Sequence, residues 1–183
     1  MLSGGMVRGS KNPLHFGLAA RLRAARKERG MGGKPLSLAA GLAGTAVLRI
    51  ESAGSVPSVE AVEKLAAVLR VSPCALTYGS DRPFDEAAIG RTAALPERLR
   101  LARNERGLSQ NALAQASGIA RTTIGYLESG ETTPSVATVE LLAQALGVSV
   151  CWLAYGEGGH EHDQLSATSS LEPTSPTERA APR

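Results

Sequence analysis

The stretch from Ala120 to Ser129 reads ARTTIGYLES, and its residue types suit base recognition better than catalysis. On a helix, Ile124 and Leu127 would face a core and leave Arg121, Thr122, Thr123, Gly125 and Tyr126 outward. An arginine early in such a helix can grip guanine O6 and N7 as a fork, threonine can meet a base edge or a thymine methyl, and glycine lets the backbone come close. Catalytic groups are scarce by comparison. The three histidines, His15, His160 and His162, fall outside residues 21–79 and 98–156, which are the segments patterned as folded units. Those units therefore lack the commonest general base. Neither a glycine-rich phosphate loop nor an HExxH motif occurs. Cys74 and Cys151 fall where short helices would begin, a setting that can lower a thiol pKa, but small packing residues are the simpler reading. His160, His162 and Asp163 read as an incidental polar run and not as a metal site. Aromatic residues make up only 3% of the chain, which disfavours an RNA-binding sheet or a single-strand stacking platform. The expectation is no enzyme, no cofactor and no metal.

The elements that would position these residues are written twice. A shift of 77 positions lays RLRAARKERG (21–30) on RLRLARNERG (98–107), Glu51-Ser52 on Glu128-Ser129, Pro57-Ser58-Val59 on Pro134-Ser135-Val136, and Cys74 on Cys151. No gap is needed, and 29 of 59 aligned positions are identical. The period is too long for a solenoid and suits a small complete domain. Both copies read as short helices punctuated by Gly, Ser and Pro, with no convincing period-2 strand. A first helix carries Leu18, Leu22 and Ala25, or Leu95, Leu99 and Ala102, and stops at Gly30 or Gly107. A fourth helix, capped by Ser58 or Ser135, buries Val59, Val62, Leu65, Ala66 and Leu69, or Val136, Val139, Leu142, Ala143 and Leu146. A short fifth helix follows Ser72 or Ser149.

Between the first and fourth helices, copy two places Ala114 four residues after Gln110, Gly118 eight after it and Ile124 fourteen after it. Two helices crossing steeply need a small residue at the contact, a glycine at positive φ in the turn and a branched anchor on the second helix. Copy one keeps this frame with Ser37, Gly41 and Val47, and Pro35 is expected to start a shortened second helix. Copy two, from RLRLARNERGLSQ through GIARTTIGYLESG to PSVATVELLAQALGVSVCWLAYG, resembles the phage-repressor-type (XRE, lambda-repressor-like) helix-turn-helix proteins. Copy one resembles them less closely, with GMGGKPLSLAAGLAG in place of GLSQNALAQASGIAR. The resemblance implies an all-α chain of two tandem five-helix helix-turn-helix domains. It implies that Gln110, following the N-cap Ser109, reaches a phosphate or base edge. It also implies an ion pair of Arg103 with Glu128, repeated as Arg26 with Glu51, in which the arginine can also face a phosphate. The DNA-binding set is then Arg103, Ser109, Gln110, Arg121, Thr122, Thr123, Gly125 and Tyr126. A weaker set in copy one is Arg26, Lys34, Thr45 and Arg49.

The organisation expected is a flexible basic arm (1–16), a divergent domain (17–79), a linker (80–94), a second domain (95–157) and a disordered polar tail (158–183). Net charge is +3, with eight Lys/Arg against one acid in residues 1–34 and two Arg against five acids in residues 157–183. The folded part is thus basic, which attracts polyanions. At roughly 3.3 Å per residue the linker could span about 50 Å, more than the ~34 Å between successive major-groove faces. Two cysteines at equivalent repeat positions argue for one role in each domain and against a disulfide framework, hence a reducing cytoplasm. The start of the chain lacks a signal-peptide core, and nothing approaches a membrane span. The function expected is a cytoplasmic transcriptional regulator of the prokaryotic or phage type, in its simplest form a repressor, with double-stranded DNA as partner. A homodimer, an intramolecular pseudo-dimer and a protein partner stay open. The rival class is a protein-interaction module, such as an antitoxin or anti-activator that retains the helix-turn-helix frame.

Overall fold

A computed structural model of the chain describes residues 13–159. Those residues form ten α-helices, five in each repeat. The first domain holds α1 (Leu18–Glu28), α2 (Gly33–Ala39), α3 (Ala46–Glu51), α4 (Val59–Leu69) and α5 (Pro73–Tyr78). The second holds α6 (Leu95–Glu105), α7 (Gln110–Ser117), α8 (Arg121–Ser129), α9 (Val136–Leu146) and α10 (Val150–Tyr155). The only extended pairing among the described residues is an isolated bridge between Ser58 and Ser135.

Local chemistry accounts for most helix limits. Ser58, Ser72, Ser109, Ser135 and Ser149 each accept a hydrogen bond at the N-terminus of their helix, from Ala61, Ala75, Ala112, Thr138 and Trp152 in turn. Gly41 and Gly118 turn the chain at φ +67° and +73°, which only glycine adopts without a Cβ penalty. The apolar stripes of α1, α4, α6 and α9 are buried together in one continuous core, with Ala25 of α1 half-buried at its margin. One boundary departs from expectation. α2 begins at Gly33, two residues before Pro35, because a proline in the first turn forfeits only an N–H that has no intrahelical partner there.

The domains meet through equivalent residues. Val59 N donates to Pro134 O at 3.1 Å and Val136 N donates to Pro57 O at 3.0 Å, a reciprocal pair offset by the 77-residue repeat. Tyr78 and Tyr155, also 77 apart, pack ring to ring at 6.3 Å. Glu140 accepts from Leu14 N and bonds His15 Nδ1, each at 2.7 Å. Its counterpart Glu63 accepts from Gly90 N and Thr92 N at 3.0 and 3.2 Å. Each glutamate therefore holds the 3-10 turn that leads into the other domain's neighbouring helix, Leu14–Gly17 or Arg91–Ala94. An interface in which residue i meets j while j's counterpart meets i's is isologous, so the chain folds about an internal pseudo-two-fold axis.

That axis corrects the reading of the cysteines. Cys74 and Cys151 face each other across it as a disulfide, with Cα atoms 5.4 Å apart, within the range such a bridge requires. Equivalence in the repeat suggested a separate role in each domain; a two-fold axis instead brings equivalent positions together. The segment 80–94 is also not an extended tether. It contains the turns Glu86–Ala88 and Arg91–Ala94 and buries Ala88 and Thr92. Residues 13–16, counted with the arm, pack against α9 through Glu140. The rest of the arm, and the tail residues His160, His162 and Asp163, lie outside the described residues.

Candidate nucleic-acid interface

α8 stands on α6 and α7 with Ile124 and Leu127 buried. Arg121, Thr122 and Thr123 form an exposed first turn, and Tyr126 is 51% exposed one turn later. A Cβ added to Gly125 would meet nothing within 4 Å, so this part of α8 offers bare backbone to whatever approaches. The five residues named from the sequence therefore line one end and one side of a short helix, as base reading requires.

The orientation of α8 is set from beneath. Arg103 donates from Nε to Glu128 Oε1 at 2.5 Å and from Nη2 to Oε2 at 3.0 Å, a bidentate pair. Its remaining amino group donates to Leu108 O at 2.8 Å. Gln110 Nε2 donates to Glu128 Oε2 at 2.9 Å. Glu128 itself is only 4% exposed. Burial works to raise its pKa, but the hydrogen bonds from Arg103 and Gln110 and the charges of Arg103 and Arg100 outweigh it and hold the carboxyl below its ordinary value. The hydrogen bond and charge of Glu128 raise Arg103 in turn. The Arg103–Glu128 pair is the one the resemblance implied, whereas the Gln110 amide nitrogen, expected at a phosphate or base edge, donates to the same carboxylate and helps position α8. Ser109 caps α7 with its hydroxyl.

The first domain repeats the clamp with different parts. Arg26 donates to Glu51 at 2.7 and 2.9 Å and to Met31 O at 2.8 Å. Gln110 has no counterpart, since Gly33 stands there, and Arg23 Nε reaches Glu51 Oε2 at 3.4 Å on that side. The Glu51 carboxyl is held below its ordinary value, first by the hydrogen bond from Arg26. Of the weaker set, Lys34, Thr45 and Arg49 are exposed, whereas Arg26 is committed to Glu51.

Two clamps escaped the sequence reading. Arg100 donates to the backbone oxygen of Glu128 at 2.5 Å, and Arg23 does the same to Glu51 at 2.9 Å, tying the last turns of α8 and α3. Arg98 donates to Leu153 O and Ala154 O, both at 3.1 Å, and Arg21 donates to Leu76 O and Thr77 O. These arginines satisfy carbonyls near the C-termini of α10 and α5 that the helices leave open. All four are identical between the repeats, and that identity was the available signal.

Helices α2–α3 and α7–α8 each pack as a pair joined by a turn at a left-handed glycine, Gly41 or Gly118, so the fold and site define a tandem helix-turn-helix protein. The helix-turn-helix family profile HTH_3 matches residues 22–76 and again 99–153, and the chain belongs to that family. It is 44% identical over 61 residues to the HTH-type transcriptional regulator PrtR of Pseudomonas aeruginosa, covering 33% of this chain and 23% of that protein. It is 42% identical over 64 residues to the control protein C.SmaI of Serratia marcescens, covering 35% of this chain and 76% of that protein. A crystal structure of an HTH_3 family transcriptional regulator from Vibrio cholerae aligns at 30% identity and a TM-score of 0.33, over 36% of this chain and 38% of that one. No helix among the described residues is long and apolar enough to cross a membrane.

Proposed function

We propose that the chain is a sequence-specific double-stranded DNA-binding transcriptional regulator, acting by occupying a promoter as a repressor. The observation that carries this reading is the exposed first turn of α8, Arg121-Thr122-Thr123, held over the Arg103–Glu128–Gln110 clamp. Arg121 reads a guanine, Thr122 and Thr123 meet neighbouring bases, Gly125 admits the backbone and Tyr126 lies against the groove wall. The family and its regulator relatives point the same way.

The internal pseudo-two-fold supports an operator of two unlike half-sites occupied by one chain. The second contact is then intramolecular and needs no second molecule. Footprinting of the intact protein over its own promoter region tests this, with molecular mass measured alongside. One chain per duplex and protection of two successive major-groove faces is the expected result. Affinity should fall with salt at a log-log slope of roughly −5 for six phosphate contacts. A nearly flat slope, or protection indifferent to sequence, would remove the assignment.

A further inference from the structure

The two reading faces differ in chemistry more than in frame. The pseudo-two-fold carries Arg121 onto Gly44, Gly125 onto Leu48 and Tyr126 onto Arg49. Leu48 is 66% exposed on α3. Leu38, on α2, is 58% exposed. A Cβ placed on Gly44 would touch Lys34 Cγ at 3.5 Å and Leu38 Cδ2 at 3.9 Å, so the stem of Lys34 and the tip of Leu38 lie over the point from which the second domain extends Arg121. The first domain therefore exposes Leu38 and Leu48 together with the cations Lys34 and Arg49 on α2 and α3, with Thr45 retained at the place of Thr122.

An exposed leucine is ordinary when isolated. Here it is exposed on α3, next in the chain to the exposed cation Arg49, at the symmetry equivalent of the bare backbone of Gly125. In the major groove the apolar feature of a base pair is the thymine C5-methyl, and a guanine-gripping fork has no counterpart at Gly44. Resting on the DNA reading above, we propose that the first domain is a thymine-methyl reader, with Leu48 as its specificity-determining residue and Leu38 extending the contact. The operator is then asymmetric in composition. One half carries guanine beneath Arg121, and the other carries thymine beneath Leu48.

The test selects duplexes from a randomised pool with the intact chain, then replaces thymine by deoxyuridine in one half-site at a time, which removes only the methyl group. The half whose guanine preference is lost in Arg121→Ala belongs to the second domain. In the other half, deoxyuridine should weaken binding roughly three- to five-fold per buried methyl. Leu48→Ala, an exposed change that leaves the fold intact, should weaken the thymine duplex to the same level and abolish the response to deoxyuridine in that half alone. A deoxyuridine effect that persists undiminished in Leu48→Ala would overturn the role of Leu48. Binding indifferent to deoxyuridine in that half would overturn methyl reading and leave the leucine face to a protein partner. Selection of no sequence at all would instead overturn the DNA reading on which the proposal stands.

Discussion

The two domains share a frame and differ in almost everything laid over it. Both keep the arginine–glutamate pair beneath α3 or α8, the reciprocal backbone bonds at Pro57 and Pro134, and the glutamate that holds the partner domain's leading turn. The second domain has a serine cap on α7, a glutamine on its clamp and glycines wherever the backbone turns left-handed. The first has Gly32 for the cap, Gly33 for the glutamine, and the non-glycine residues Ala53 and Arg70 at φ +55° and +53°, where the second has Gly130 and Gly147. Its α2 gains one compensation. Ser37 Oγ accepts from Val47 N at 3.0 Å, tying the start of α3 directly to α2. The lesson is that the shared interface constrains the frame of both domains, while the outer face of α3 and the local comfort of the first domain are free to diverge.

The largest test concerns what joins the two. Bridging Cys74 to Cys151 closes a loop 77 residues apart in sequence, which in the chain-entropy picture stabilises the fold by about 4 kcal/mol. Replacing both with serine should lower the unfolding free energy by that order in denaturant titration, and adding reductant to the native protein should do the same. A change below about 1 kcal/mol would mean that the non-covalent interface alone sets the association of the domains.

Next comes the clamp. Glu128→Ala leaves a half-buried Arg103 without its partner and should cost about 3 kcal/mol. Glu51→Ala should cost a similar amount if the frame is truly shared; a much smaller loss would show the first domain's clamp to be vestigial. Both carboxyls sit below their ordinary pKa when folded. Their stabilising contribution is therefore complete above the usual carboxylate range and is lost as pH falls through the lowered folded-state values, below about pH 4. An acid titration followed by circular dichroism should show this limb, and Glu128→Gln should flatten it.

The reading faces come third. Arg121→Ala should cost about 1 to 3 kcal/mol on the preferred operator and relax one base pair. Arg49→Ala should weaken specific and random duplexes alike, as the loss of a phosphate contact does. Equal behaviour of the two variants in quantitative binding titrations would remove the functional distinction between the domains.

The smallest effect separates local strain from everything else. Ala53→Gly should stabilise the protein by about 0.5 to 1 kcal/mol, because a left-handed backbone penalises any Cβ, and Gly130→Ala should destabilise it comparably. The reverse exchange is clean, since a Cβ at Gly130 would meet Pro96 only at an ordinary 3.6 Å. Paired thermal melts of opposite sign would confirm that the second domain kept the glycines its turns need.

Much of this protein was legible in its residues because the relevant physics is local. Helix stripes, serine caps, positive-φ glycines and the outward set Arg121, Thr122, Thr123, Gly125 and Tyr126 follow from periodicity and short-range hydrogen bonding, which a sequence displays directly. The tertiary structure decided where the two copies touch. Nothing in a tandem repeat says whether equivalent positions point apart or toward a common axis, so Cys74 and Cys151 read as two separate packing residues until the axis joined them. The same uncertainty covered Gln110. Its residue type suits a phosphate as well as a carboxylate, and only the placement of Glu128 beneath α8, beside the Arg103 that the resemblance had already paired with it, commits the glutamine amide to holding the helix. Residues 80–94 looked like a tether because a polar segment shows its length but not its partners. Glu63 and the pseudo-two-fold fold it back into a turn, since buried backbone N–H groups must find acceptors that may lie far away in the chain.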